Sequence, residues 1–256
     1  VSVSVTELQP YTIGASSVPA ILGLDPFESA YSRAVKMLEG RDNPSSEAAQ
    51  MGLDLEAAHA ELVAQAGYDV MPAPVAGFVH PDLPWLCVHP DGLVAWPNPE
   101  PVTDATKNPL GREPAQVGTG SGIGPLELKL RGVAPSEAIR MRDTVQSLVQ
   151  VHAMGASQGL VSVLHGGFGG VRREAWTVDR DDDLFGLVAA RCEAYLATLR
   201  RGRLPAPDGS DSTRDAIRQR FARAEPGAAV RATQECWGWV KRIRELREVE
   251  NTAKEQ

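Results

Sequence analysis

The sequence holds only three cysteines in 256 residues, Cys87, Cys192 and Cys236, an odd number at wide spacing with no C-x-x-C pair. That leaves no material for a disulfide framework, a thiolate zinc site or an iron–sulfur cluster, and fits a reducing cytoplasm. No stretch approaches the roughly 20 uninterrupted apolar residues that a bilayer span requires. Val1 to Thr12 carries neither a basic n-region nor an apolar h-region, so a soluble, untargeted chain with no membrane partner is expected. Positive charge is also short. A net charge of -7 means that a polyanion would be met at a local channel or patch rather than over the whole surface. Lysine is scarcest of all, with only Lys36, Lys107, Lys129, Lys241 and Lys254, so a motif that demands lysine is hard to meet by chance. The five histidines, His59, His80, His89, His152 and His165, lack H-E-x-x-H or H-x-H spacing, which weakens a zinc hydrolase. His89 either lines a site or packs.

What is present reads as an α/β (α+β) protein with one main domain, a mixed central sheet flanked by helices and a C-terminal helical extension. Gly14 to Gly40 is helical, with Ser16 or Ser17 as a cap and a restart at Asp25-Pro26. A helix between Ser45 and Ala66 places Leu53, Glu56, Ala60 and Val63 on one stripe, with Glu56 interrupting an apolar face. Strands are expected over Asp69 to Phe78 and Trp85 to Trp96. Pro97 to Gly124, rich in Pro, Gly, Thr and Asn, reads as a long flexible insertion. Its Gly118 to Gly124 run fits neither phosphate-loop pattern. A helix over Ser136 to Ser157, a strand pair over Leu160 to Leu164 and Glu174 to Val178, and a helix over Asp181 to Arg201 follow. Pro205 to Thr213 marks a domain edge, giving residues 1–207 and 208–256.

The chemistry gathers in Leu126 to Leu130. Strand alternation puts Glu127 and Lys129 on one face, about 7 Å apart, with Leu126, Leu128 and Leu130 pointing into the core. Asp91, in His89-Pro90-Asp91-Gly92, stands where proline and glycine end an apolar strand, able to sit beside Glu127. Two carboxylates there suit Mg²⁺, with Lys129 orienting a nucleophile or offsetting transition-state charge. Glu56, if inward, adds a ligand directly or through water. The competing reading of E-x-K is a solvated salt-bridging face.

Further fragments carry a resemblance: Gly14-Ala-Ser-Ser17, Ala20-Ile-Leu-Gly23, Asp25-Pro-Phe27, Gly52 with Glu56, His89-Pro-Asp-Gly-Leu93, Leu126-Glu-Leu-Lys129, Gln150-Val-His-Ala-Met154, Leu164-His-Gly-Gly167 and the Arg-Gly-Arg-Leu-Pro segment ending at Pro205. Together, over most of Ile13 to Pro207, they resemble the YqaJ-type viral recombinase family, which groups with the lambda exonuclease family among the PD-(D/E)XK nucleases. The resemblance implies a PD-(D/E)XK restriction-endonuclease-like core and a double-stranded DNA exonuclease, 5′ to 3′, leaving 3′ single-stranded tails for a partner annealing protein in phage-type recombination. It further implies a homo-oligomer, a trimer, in a bacterial cytoplasm and encoded by a phage or prophage. Asp91, Glu127, the Leu128 carbonyl and Glu56 would hold Mg²⁺ or Mn²⁺, two ions in all, and Lys129 would be the catalytic lysine.

The family's helix glutamine has two candidates, Gln146 and Gln150, one turn apart, of which Gln150 sits closer to the pattern. The serine that binds a 5′ phosphate corresponds to Ser16, but Gln9 lies where an arginine is expected; Ser16 is then either a phosphate ligand at a helix start or only a cap. Arg131, Arg140, Arg142, Arg172 and Arg173 either line a DNA channel or are surface charge. Trp237 and Trp239 either stack on bases or pack. Two other functions remain in view: a RecB-like nuclease serving CRISPR adaptation or restriction, and a catalytically degenerate DNA-end-binding protein.

Overall fold

A computed structural model of the chain describes residues 11–39, 47–96, 122–167, 170–221, 231 and 233–254. Its elements run, after a 3-10 turn at Ala15–Ser17, as α1 (Val18–Ile21), α2 (Ala30–Glu39), α3 (Glu47–Gln65), β1 (Asp69–Met71), β2 (Phe78–Val79), β3 (Cys87–Val88), β4 (Gly92–Ala95), β5 (Ile123–Arg131), α4 (Glu137–Met154), β6 (Gln158–Gly167), β7 (Gly170–Asp179), α5 (Asp182–Arg200), α6 (Asp211–Arg220) and α7 (Gln234–Lys254). The sheet has five strands in the order β1-β4-β5-β6-β7. Only β5 and β6 are parallel, joined by α4 as a β-α-β crossover, so the sheet is mixed as expected. Strands β2 and β3 form a separate antiparallel ribbon, and Ile13 bridges to Leu86 beside it.

The sheet is covered on both faces. On one side Val63 of α3 packs over Val94, Leu126, Leu128 and Leu160. On the other Leu148 of α4 packs against Val161, Val163, Trp176 and Val178. A third cluster, including Val18, Val149, Leu196 and Leu199, fills the space between α4 and the α1 and α5 helices. Each fully buried leucine among these contributes about 1.5–3 kcal/mol. Because α4 lies between two layers, it is buried almost all round from Asp143 to Ala153, and not only along the stripe that periodicity singles out. Its ends are conventional: the Ser136 hydroxyl accepts from Ile139 N–H, and Gly155 closes it at φ 65°.

Several expectations are corrected. Neither Ser16 nor Ser17 caps through its side chain; Ser16 lies inside the 3-10 turn, and α1 has a single turn. The restart does fall at Asp25-Pro26: the Asp25 carboxylate accepts from the N–H groups of Phe27 and Glu28, and reciprocal Ser29–Ser32 bonds open α2. Leu53 is 62% exposed, and among the described side chains of α3 the buried ones are His59 and Val63. The strands predicted over 69–78 and 85–96 are shorter, interrupted at His89-Pro90-Asp91. Leu130 is 37% exposed because it borders the cavity that opens beside α3. β5 begins at Ile123 rather than at Pro125, and Gly124 within it serves close approach, since a Cβ there would run into the Gln158 carbonyl oxygen. Residues 97–121 of that insertion lie outside the described residues.

The chain divides into two compact units, 1–216 and 217–256. The first extends past Pro207 because Thr213 is buried with its hydroxyl 2.6 Å from that of Ser29, and Ser29 N–H donates to Ser212. In the second, α7 leaves Trp237, Trp239, Ile243, Leu246 and Val249 exposed. Among the described residues, no helix is long and apolar enough to cross a membrane.

Candidate active site

The antiparallel pairing of β4 with β5 ends at Gly92↔Leu126. One residue earlier the chain turns at Pro90-Asp91, and Asp91 Oδ2 accepts from Leu128 N–H at 2.7 Å. A strand residue directs its N–H and C=O to the same neighbour. The Leu128 carbonyl therefore faces the side of β5 that β4 has vacated, next to Asp91. Asp91, Glu127 and Lys129 are thus brought together across the 97–124 segment.

Glu127 is 1% exposed, and its face of β5 is covered by α4. Gln146 Nε2 donates to its Oε1 at 2.5 Å, Gln150 Nε2 to its Oε2 at 2.6 Å, and the Lys129 ammonium pairs with Oε1. Both glutamine candidates are therefore used, one on each carboxylate oxygen. This is not the solvated salt-bridging face of the competing reading. Burial opposes the Lys129 ammonium, but the charges of Glu127 and Asp91 outweigh it and hold its pKa above the ordinary lysine value. Burial, followed by the negative charge of Glu127, pushes the Asp91 carboxyl up to about 7.

Beside them a cavity of about 270 Å³ opens between α3 and the end of β5, bordered by Glu56, His59, Asp91, Leu128 and Lys129. Glu56 is partly exposed there, and its charge reaches Asp91. Among the described residues no three His, Cys, Asp or Glu side chains converge into a ready-made metal cluster.

The arginines divide. Arg131 donates to both oxygens of Asp143, which is fully buried, at 2.8 and 2.6 Å. Arg142 spans Asp25 and the same Asp143, at 2.7 and 3.1 Å. Arg140 pairs with Glu174 over the Trp176 ring. Arg131, Arg140 and Arg142 thus serve internal ion pairs, whereas Arg172 and Arg173 are exposed. Ser16 is exposed, but a 3-10 turn and one α-turn give it little macrodipole for anion binding. His89 is exposed and packs by Gly77, away from the cavity.

No family model matches the chain, and no curated protein sequence matches it. Among solved structures it is similar to LHK-Exo in complex with dAMP, at TM-score 0.50 and 18% identity over 82% of this chain and 93% of that one. The chain shares that protein's fold. Other likenesses are to the alkaline exonuclease LHK-Exo from Laribacter hongkongensis (TM-score 0.48, 18% identity, 83% and 95% covered) and to a phage related exonuclease from Haemophilus somnus 129PT (TM-score 0.49, 11%, 75% and 95%).

Sequence reasoning missed Asp143 and Ser162, gave Asp25 no role beyond the helix restart, and set His59 aside. For Asp143 a signal existed: with Gln146 and Gln150 it forms an i, i+3, i+7 polar stripe on α4, opposite the Glu127, Lys129, Arg131 alternation. His59 stands three residues after Glu56, on the same helix face.

Proposed function

We propose that the chain is a metal-dependent DNA exonuclease, a phosphodiester hydrolase built on Asp91, Glu127 and Lys129. The observation that carries this reading is the Asp91 carboxylate on Leu128 N–H, which seats the acid of one strand end against the Glu-x-Lys of the next.

The residues fit a hard divalent cation. Asp91 carries a proton up to about pH 7 because burial and neighbouring negative charge leave the site short of positive charge, and the acidic and carbonyl donors at hand are oxygens. Asp91, Glu127, the Leu128 carbonyl and, across the cavity, Glu56 would hold Mg²⁺ or Mn²⁺, two ions by the family resemblance. When bound, the cation polarises the phosphodiester and lowers the pKa of its water from about 15.7 towards neutrality. Lys129 presents its ammonium beside Glu127 to orient the attacking oxygen and to offset charge as it develops on phosphorus. Gln146 and Gln150 fix the Glu127 carboxylate from behind.

Resemblance to the YqaJ and lambda exonuclease families extends the proposal: duplex DNA ends as substrate, 5′ to 3′ degradation, 3′ tails passed to a single-strand annealing protein, and a ring trimer in a bacterial cytoplasm. Incubating linear and covalently closed duplex DNA with the protein and Mg²⁺ tests it. The linear form should be degraded and the closed form persist; equal attack on both would overturn the exonuclease reading.

A further inference from the structure

The wall of the cavity across from Asp91 and Lys129 carries a histidine that the hydrolytic scheme leaves unused. His59 is 3% exposed and borders the cavity on α3, one turn beyond Glu56. Its Nε2 lies 3.0 Å from the hydroxyl of Ser162 on β6, which is fully buried. Among the described residues His59 is the side-chain partner of that hydroxyl, and a hydroxyl hydrogen in a dry interior needs an acceptor. Nε2 supplies it if the ring carries its proton on Nδ1. Burial, then the nearby charge of Arg173, lowers the His59 pKa to about 4, so the ring is neutral at ordinary pH. In the hydrolytic scheme Glu56 and Asp91 are taken up by the cation, and Lys129 is engaged by Glu127. That leaves the imidazole as the uncharged donor among the polar side chains bordering the cavity.

We infer that His59 presents its Nδ1–H to the cavity as a hydrogen-bond donor to a phosphate oxygen of the bound strand, held in register by Ser162. The inference rests on the nuclease reading and names a substrate contact within it. A donor fixed by a buried partner selects one position of the backbone without adding charge to the metal site.

The isosteres separate this role from packing. The asparagine amide nitrogen overlays imidazole Nδ1, and that of glutamine overlays Nε2. With a 5′-phosphorylated duplex oligonucleotide, Kd is read by anisotropy in Ca²⁺, and kcat and KM in Mg²⁺. His59→Ala should raise Kd and KM about tenfold, the scale of one hydrogen bond to a charged group, with kcat nearly unchanged. His59→Asn should restore most of the loss and His59→Gln little of it. Rescue by glutamine but not asparagine, or equal Kd in all folded variants, would overturn the inference. Should the variants not fold, ¹⁵N shifts of the wild-type imidazole decide. A proton on Nδ1 that responds to the oligonucleotide supports the contact, and one on Nε2 refutes it. Wild-type protein that neither binds nor cleaves the duplex overturns the nuclease reading itself, and is seen before any variant is made.

Discussion

The two faces of β5 follow opposite rules. Towards α4, Glu127, Lys129 and Arg131 interlock with Gln146, Gln150 and Asp143, and each of these charges finds a partner inside the protein. Towards α3, the apolar Leu126 and Leu128 lead out to a cavity where Glu56, His59 and Asp91 face one another across open space. A hydrolytic site needs both conditions. Charged groups are fixed by partners inside the protein, and open space is left in front of them. Glu127 belongs to the locked side, so it can exchange Lys129 or an amide for another ligand without losing its place.

The comparison is broken most severely at Asp143. Asp143→Ala strands Arg131 at 17% side-chain exposure, leaves Arg142 only Asp25, and should cost about 3–5 kcal/mol in denaturant unfolding; a loss below about 1 kcal/mol would mean that the seam is not fixed by its charges. Next come Glu127→Ala and Lys129→Ala, each expected to slow cleavage of linear duplex by at least a few hundredfold, about 3 kcal/mol of transition-state stabilisation. Near wild-type rates in both would move the active site elsewhere. Gln146→Ala and Gln150→Ala should each cost about 1.5 kcal/mol of stability, the low end for a hydrogen bond to a charged group. Their own Oε1 atoms are buried without a partner, and truncation relieves that defect. A clear inequality between them would show that one oxygen of Glu127 is held and the other merely covered.

The smallest effect is on pH dependence. The Asp91 carboxyl, pushed up to about 7, keeps a proton that the unfolded chain releases near its ordinary value of 3.8. Its contribution to stability is full below that value and is lost as pH rises through about 7. His59 and His152, both lowered to about 4, contribute the reverse, present above about 6.5 and lost as pH falls through about 4. Comparing metal-free wild type with Asp91→Asn cancels the histidines. The variant should gain a few degrees in Tm relative to wild type between about pH 5 and pH 8, and a difference that does not change with pH would contradict the burial of this carboxylate.

Much of the fold was legible in the sequence because period and capping are local. The Glu127–Lys129 alternation, the helix over Asp181 to Arg201 and the strand pair around Gly166 to Gly170 need no distant information. The reading went astray where burial depends on a second layer. Periodicity assigns α4 one packed face, but α1 and α5 cover its other side. It points Leu130 inward, but Leu130 borders an open cavity. The arginines are the sharper case. Arg131 and Arg142 in sequence look like a basic patch, and only the fold brings Asp143 and Asp25 to them. His59 carried no motif, and its partner Ser162 lies on a distant strand.

The central claim is that Asp91 and Glu127, one on each side of the vacated edge of β5, form a cation site. Soaking crystals in Mn²⁺ and collecting anomalous data tests it most directly. The account predicts a peak between the two carboxylates, in reach of the Leu128 carbonyl, that disappears in Glu127→Ala. Manganese absent there at saturating concentration, or bound only elsewhere, would contradict it.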